Sequence, residues 1–369
     1  MLVAMSGTFR FAFTAGAIIL GVAGCSGPGE LNADSEGTNA PGESAEVSLV
    51  AWTGSLTETL AKPVDGLIFD AAYLPSRDSL ALLGYFPMES SNLSVQFLDP
   101  ETLQPQDTVA LPQGLFAFTE SGFGGDLTGS FFSPDGTRLV LTSEGTDQAV
   151  PPGCVVIDSG DGTLVASLPT NGSLGCNSSW DADGSSLYVA GFPSSTISVF
   201  DAESLNPVRE LITEFPPIHL AGLNGYVGYT QGSFETEGMI VFYEPGDVPG
   251  FLTELPDWPV SVKSSANLSE IVSFGHEQPL LTFTNPTTGE KRQSSPLDSS
   301  LTSFAIAPDG SVVVAATRSN QITLVDSQSG EVLGSLAVSD NPARALVFGP
   351  NQALLYVATS NGVVIVTGG

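Results

Sequence analysis

Basic residues are scarce in this sequence. Its 369 residues include 10 Lys and Arg against 40 Asp and Glu, so the formal net charge at pH 7 is −30. A surface with this charge repels the phosphate groups of nucleic acids and of anionic lipids, and we therefore expect no nucleic-acid partner. We interpret the acidity as a solvated surface that keeps an exported protein soluble. Attraction of Ca²⁺ or of a basic protein patch is the alternative.

Histidine and catalytic motifs are equally scarce. The sequence has no Gly-x-Ser-x-Gly elbow, no His-Glu-x-x-His pair and no phosphate-binding loop. Its two histidines, His219 and His276, have no Cys or second His at ligand spacing, so we predict no metal site. Both fall toward the same face of the fold predicted below, which leaves an acid–base role open, but a lone histidine is more often structural.

Two acidic stretches resemble runs of Ca²⁺ ligands, "DSGDGT" at residues 158–163 and "DADG" at residues 181–184. They lack the full ligand spacing of a Ca²⁺ loop and coincide with turns of the repeat described below, so we interpret them as turns. We therefore expect no cofactor, with Ca²⁺ as the one alternative.

Charge is also missing from the N-terminus, where Arg10 is the only charged residue among the first 24. Residues 11–24 form an apolar run that is short for a membrane span and typical of a signal peptide. The letters "VAGC", which end at Cys25, resemble a bacterial lipobox. This resemblance implies that residues 1–24 are a lipoprotein signal peptide and that a lipid on Cys25 anchors the protein to a membrane of the cell envelope. An ordinary secretory signal or an uncleaved anchor is the alternative.

Aromatic and basic residues are absent from residues 26–45. A stretch of this composition cannot bury enough apolar surface to offset its conformational entropy. We therefore divide the chain into the signal peptide, a flexible acidic tether over residues 25–45 and one folded domain over residues 46–369.

The folded domain contains a repeat of four short strands. The stretches "FFSPDGTRLVLTS" (131–143), "IAPDGSVVVAAT" (306–317) and "FGPNQALLYVAT" (348–359) each indicate a strand, an Asp-Gly type of turn and a second strand, and a third strand follows. The turn recurs every 41 to 48 residues, which is the period of a propeller blade. Seven such units predict an all-β fold, a seven-bladed β-propeller of four-stranded antiparallel blades.

The last units carry a family resemblance. "NPARALVFGPNQALLYVATSNGVVIV" and "APDGSVVVAATRSNQITLVDSQSGEVLGSLAV" resemble the YVTN-family β-propeller repeat, a relative in shape of WD-repeat propellers. The resemblance covers roughly residues 56–369. It implies a scaffold rather than one particular activity, because propellers support many functions.

The last unit lacks a fourth strand of its own. When Pro75 of the first unit is aligned with Pro350 of the last, residues 56–61 take the place that a fourth strand occupies before each other unit. We therefore predict that residues 56–61 pair with residues 363–366 and close the ring, which removes both sheet edges. Residues 46–51 are a rival for the same position.

The predicted strands place the connections on two faces. The turns within the first and last strand pairs of each blade form what we call the short-turn face. The remaining connections form the long-loop face, and they include the long segments 114–126, 143–153, 169–178, 230–238 and 255–259. Long loops on a rigid scaffold are common binding sites, and aromatic side chains beside carboxylates suit a protein, peptide or sugar partner. The candidate binding residues are Phe116, Phe118, Phe123, Asp126, Glu144, Asp147, Phe234, Glu235, Glu237 and Trp258. The alternative is that these aromatic residues fill gaps between blades.

Cysteine is rare, and two of the three residues remain after Cys25. Cys154 and Cys176 both fall on the long-loop face of adjacent units. An extracytoplasmic location permits a disulfide, so we predict a bond between them, with two free buried thiols as the alternative.

The function predicted from these features is that of a lipid-anchored, extracytoplasmic binding or scaffold module. We expect a monomer that contacts the membrane through the Cys25 lipid and a protein, peptide or glycan partner through its long-loop face. A propeller enzyme, either a lactonase-like hydrolase or a quinoprotein-associated dehydrogenase, is the alternative, and an envelope-assembly factor is a third. Three or more carboxylate, Asn or His side chains converging at one mouth of the channel would favour the enzyme.

Overall fold

The computed structural model describes residues 51–369 apart from 88–89, 91, 117–130, 146–149, 171–174, 193, 215, 224, 232–237, 244–248, 256–258, 266, 339–340, 361 and 369. The predicted signal peptide, the lipidation site Cys25 and the tether lie outside the described residues. Within the described part, the one helix is a short 3-10 turn, η1 (Pro350–Gln352), and no helix has the length and hydropathy needed to cross a membrane.

The described strands form seven antiparallel sheets of four strands each, so the predicted fold class is confirmed. In six of the sheets the strands follow one another in chain order from the inner to the outer edge. Blade one contains β2 (Leu67–Leu74), β3 (Ser79–Tyr85), β4 (Ser94–Leu98) and β5 (Pro105–Ala110). Blade two contains β6 (Leu115–Phe116), β7 (Arg138–Ser143), β8 (Gly153–Asp158) and β9 (Leu164–Leu168). Blade three contains β10 (Gly175–Trp180), β11 (Ser186–Phe192), β12 (Thr196–Asp201) and β13 (Pro207–Ile212).

The next three blades repeat this order. Blade four contains β14 (His219–Leu223), β15 (Tyr226–Gln231), β16 (Met239–Tyr243) and β17 (Pro249–Glu254). Blade five contains β18 (Pro259–Lys263), β19 (Ile271–Gly275), β20 (Leu281–Thr284) and β21 (Lys291–Gln293). Blade six contains β22 (Leu301–Ile306), β23 (Val312–Thr317), β24 (Gln321–Asp326) and β25 (Val332–Ala337).

Blade seven combines the two ends of the described chain. Its inner strands are β26 (Ala343–Phe348), β27 (Leu355–Thr359) and β28 (Gly362–Gly368), and its outer strand is β1 (Leu56–Pro63). β1 pairs antiparallel with β28 in a register that places Leu56 opposite Gly368 and Ala61 opposite Val364. The outer edge of β28 is therefore covered by a segment that lies about 300 residues away in sequence.

Trp52 fixes the segment that leads into β1. Its side chain is buried, and its indole Nε1–H donates to the carbonyl oxygen of Gln352 at 2.6 Å. The ring also contacts Phe348 edge to face, with 5.4 Å between ring centroids. Because these partners lie at the end of β26 and in η1, the segment before β1 is attached to the core of blade seven as well as to β28.

The burial pattern within a blade explains the sequence pattern. All six residues of β23 are buried, because neighbouring blades cover both faces of the middle strands, and the sequence there reads "VVVAAT". The outer strand β25 instead alternates between exposed and half-buried residues, as expected of a strand at the rim. The core is accordingly a set of apolar layers between successive blades.

The turn between the first two strands differs from the two-residue hairpin that the Asp-Gly pairs predict. In blade two, Gly136 N–H donates to the carbonyl oxygen of Ser133 at 2.8 Å, and Gly136 has φ 71° whereas Asp135 does not have positive φ. The turn is therefore a four-residue turn that ends in a left-handed glycine. The equivalent Gly310 has φ 73°, and a Cβ atom there would lie 2.7 Å from the Asn267 carbonyl oxygen of blade five. Gly310 is thus required by its backbone conformation and by the close approach of the neighbouring blade.

The acidic stretches lie in turns, as predicted. Asp158 Oδ1 accepts the backbone N–H of Gly160 at 2.7 Å, and Asp161 Oδ1 accepts that of Thr163 at 2.9 Å. In the second stretch, Asp183 Oδ1 accepts the N–H of Ser185 at 2.8 Å. These carboxylates satisfy backbone donors of their own turns.

Candidate functional site

A disulfide joins blades two and three at the long-loop face. Cys154 in β8 and Cys176 in β10 are bonded, with 5.4 Å between their Cα atoms. Cys154 is the second residue of β8, and Cys176 is the second residue of β10. The predicted bond is confirmed, and it holds together the ends of two connections, residues 144–152 and 169–174.

Two of the candidate binding residues belong to the described part of this face. Phe116 lies in β6, opposite Thr142, and is half-buried, so it belongs to the start of an inner strand and not to a connecting loop as the 114–126 segment implied. Glu144 is exposed just after β7, and its N–H donates to the Gly114 carbonyl oxygen at 3.0 Å. The others lie outside the described residues: Phe118, Phe123, Asp126, Asp147, Phe234, Glu235, Glu237 and Trp258.

The inner strands surround a central channel that contains a cavity of about 740 Å³. Most of its wall comes from the last residues of the inner strands, which end at the short-turn face. At blades three and four the wall extends to the first residues of β10 and β14, and so approaches the long-loop face. The lining mixes aromatic side chains such as Trp180 and Phe348 with Asn177 and several serines.

His219 is part of this wall. It is the first residue of β14, and its backbone N–H donates to Thr230 Oγ1 at 3.1 Å. Burial lowers the pKa of the imidazole to about 4, so the ring is neutral at pH 7. His276 lies after β19, in the connection to β20, and is not among the residues that line the cavity. The structure therefore places one of the two histidines in the cavity wall and does not bring the pair together there.

Lys263 lies in the channel wall and is influenced by the opposite charge of a buried aspartate, Asp70. Lys263, the last residue of β18, lines the cavity, and its Nζ donates to the Phe304 carbonyl oxygen at 2.8 Å. Burial lowers the pKa of this lysine, and the negative charge of Asp70 opposes that effect.

Asp70 lies in the middle of β2 and is buried. Its Oδ1 accepts the N–H of Ala71 at 2.9 Å, and its Oδ2 accepts the N–H of Phe131 at 2.8 Å. Burial raises the pKa of Asp70 to about 6, although Lys263 and the backbone donors favour the charged form. Asp70 thus joins blade one to blade two and also supplies a counter-charge for Lys263.

Other polar residues of the channel connect blades three and four. Asn177 Nδ2 donates to the Pro217 carbonyl oxygen at 3.2 Å. Asp181 accepts the N–H of Gly225 at 3.2 Å, and burial raises its pKa. Asn177 lies near the start of β10 and Asp181 follows its end, so these groups are spread along the channel. Among the described residues, no group of three His, Cys, Asp or Glu side chains has the arrangement of a metal site.

Sequence reasoning missed Lys263 and Asp70, but the repeat contains a signal for the lysine. In blades two to seven the turn residue is Gly136, Gly184, Gly225, Leu268, Gly310 and Gln352. The residue five positions earlier is Lys263 in blade five, and the equivalent residues of the other five blades are uncharged: Phe131, Ser179, Leu220, Ala305 and Val347. A single charge at a position that is otherwise apolar or small marks an exception to the repeat. Asp70 gives no comparable signal, because its partners Phe131 and Lys263 are far from it in sequence.

No protein-family model matches this chain, and no curated protein sequence matches it. The function is therefore inferred from the fold. A closed propeller presents a rigid channel and two rims of loops, and this architecture is suited in general to binding or scaffolding.

Proposed function

We propose that this protein is a lipid-anchored binding or scaffold module that acts outside the cytoplasm and holds a protein, peptide or sugar partner on its long-loop face. The observation that carries the proposal is the disulfide between Cys154 and Cys176. Disulfides persist in oxidising compartments and are rare in the cytosol, so the bond supports export. Its position supports the choice of face, because it restricts two neighbouring connections and lowers the conformational entropy lost on binding.

The relation to YVTN-family repeats belongs to the same proposal. It is supported by seven four-stranded units and by the left-handed glycine that recurs in the turn after the first strand, at Gly136, Gly184, Gly225 and Gly310. The spread of polar residues along the channel favours binding over the enzymatic alternative. A hydrolase would gather several of these groups at one mouth, whereas Asn177 and Asp181 lie toward opposite ends of β10 and are engaged in contacts between blades.

Replacing Cys25 tests the anchor. In a bacterial host, the Cys25→Ser variant should lose palmitate labelling and leave the membrane fraction, because the thiol is the attachment point of the lipid. The matched control is Ser26→Ala, which changes the next residue and should leave labelling and membrane association unchanged. Fractionation with immunoblotting, with and without globomycin, measures both. Cys25→Ser protein that stays in the membrane fraction without globomycin would contradict the anchor.

A further inference from the structure

Lys263 is the only Lys or Arg among the described residues that line the channel cavity. Its ammonium group has three N–H donors, and among the described residues one hydrogen-bond acceptor reaches it, the Phe304 carbonyl oxygen. The same Nζ lies 5.4 Å from the centroid of the Phe304 ring, so its remaining surroundings on that side are apolar. Lys263 is half-buried, and an ammonium donor that is withdrawn from water is destabilising unless a further acceptor reaches it.

Asp70 offsets the charge of Lys263 but does not provide a further hydrogen-bond acceptor for it. Both of its carboxylate oxygens already accept backbone N–H groups, one from Ala71 and one from Phe131. The negative charge of Asp70 raises the pKa of Lys263, but no hydrogen bond between the two side chains is present in the described part of the chain. The lysine therefore keeps donor capacity that faces a cavity.

The scaffold itself does not require a charge at this position. The repeat places Ala305 at the equivalent point of blade six and Val347 at that of blade seven, and both blades form the same four-stranded sheet. A lysine there costs desolvation free energy that an alanine or valine avoids. This comparison indicates a role for the charge other than holding blade five together.

We propose that the channel cavity binds a small organic acid whose carboxylate pairs with the ammonium group of Lys263. A volume of about 740 Å³ lies within the range of small-molecule sites, and carboxylates form strong, charge-assisted hydrogen bonds with ammonium groups. Trp180 and Phe348 also line the wall, which provides apolar surface for the body of such a ligand. The indole N–H of Trp180 is buried and has no acceptor within the described part of the chain. This site is separate from the partner surface proposed above and does not depend on it.

Two sources of such a carboxylate are chemically equivalent at Lys263, a free small acid and the C-terminus of a peptide. The experiment therefore has two arms, each with a matched neutral compound. One arm titrates the purified protein with 4-phenylbutyrate and with 4-phenylbutanamide. The other titrates it with an Ala-Ala-Phe tripeptide as the free acid and as the C-terminal amide. Isothermal titration calorimetry at pH 7 in 0.15 M NaCl measures the affinities, because salt at this level screens the long-range repulsion from the net charge of −30.

We expect each acid that binds to do so at least tenfold more tightly than its amide. A stronger preference in the first arm identifies a free acid, and a stronger preference in the second identifies a peptide C-terminus. Equal affinities of acid and amide in both arms would overturn the proposal, as would the absence of binding by any of the four compounds at 10 mM.

Variants then assign the effect to the lysine. Lys263→Met should reduce the affinity for the preferred acid at least tenfold and leave the affinity for its amide unchanged. The matched control is Lys291→Met, which removes an exposed lysine from the outer strand of the same blade and should change neither affinity.

Asp70→Asn removes the competing carboxylate and should strengthen binding of the acid, so it tests the charge argument even if the lysine variant does not fold. Loss of acid binding in Lys291→Met, or weaker acid binding in Asp70→Asn, would contradict the assignment.

Discussion

A variant that lacks residues 56–63 should fail to form a stable propeller. These residues are the whole of β1, and seven residue pairs join them to β28. At a net contribution of about 1 kcal/mol for each backbone hydrogen bond, removing the strand costs on the order of 5 kcal/mol. That loss is comparable to the whole free energy of unfolding of a typical domain. It also exposes the edge of β28, whose first five residues are buried, and an exposed apolar edge promotes association between chains.

The matched deletion removes residues 46–51, the rival closing segment. This variant should fold, because Trp52 and β1 keep their contacts with blade seven. Urea unfolding followed by tryptophan fluorescence, together with gel filtration, distinguishes the two variants. If the protein without residues 56–63 unfolds at the wild-type midpoint as a monomer, and the protein without residues 46–51 aggregates, then the closing strand has been assigned to the wrong segment.

Opposite effects of pH on stability should appear when Asp70 and His219 are replaced one at a time. Burial raises the pKa of Asp70 from 3.8 to about 6, so between pH 4 and pH 6 the folded protein holds a proton there that the unfolded chain has lost. This group alone makes the protein less stable as pH rises through that window. Burial lowers the pKa of His219 from 6.5 to about 4, so in the same window the unfolded chain holds the extra proton. This group alone makes the protein more stable as pH rises.

The two contributions largely offset each other in the wild-type protein. Each corresponds to about 3 kcal/mol at most, and the value for His219 is smaller because part of its ring borders the cavity. In His219→Gln, the free energy of unfolding should therefore fall between pH 4 and pH 6 relative to wild type. In Asp70→Asn it should rise over the same range. Asp181, whose pKa is also raised by burial, is present in all the proteins and does not affect the comparison.

Urea unfolding at half-unit steps of pH measures these slopes. The absolute stability of each variant at one pH also includes lost hydrogen bonds, so the change of stability with pH is the informative quantity. Slopes that change in the same direction in His219→Gln and Asp70→Asn would show that burial does not shift the pKa values of the two groups in opposite directions.

The repeat made most of the fold predictable from the sequence. The period located seven sheets, because every blade buries its middle strands in the same way and therefore repeats the same apolar pattern. The turn type was less accessible: "SPDG" and "APDG" suit a two-residue hairpin, and only the hydrogen bond from Gly136 to Ser133 shows that the turn has four residues. The first strand of blade two was also not recognisable from the repeat, because an insertion that no other unit contains separates Leu115–Phe116 from Phe131.

The candidate site was only partly predictable, for a different reason. Cys154 and Cys176 could be paired because each lies next to a strand end whose position in the blade follows from the repeat. The charge of Asp70 in blade one influences Lys263 in blade five across the ring, and Asp70 accepts a hydrogen bond from Phe131 at a separation of 61 residues in sequence. Contacts of this kind depend on the radius of the channel and on side-chain direction, which the spacing of strands does not define.

Partner capture by the long-loop face is the most direct test of the proposed function. The measurement uses the affinity-tagged, full-length protein, cross-linked in intact cells and recovered from solubilised membranes. One variant replaces Phe123, Phe234 and Trp258 with alanine on the long-loop face. The matched control replaces Glu101, Glu203 and Glu290 with alanine, three exposed residues in the turns between third and fourth strands on the short-turn face. We predict that the first variant loses the partner recovered with wild type and that the second retains it. Retention by the first variant together with loss by the second would contradict the account.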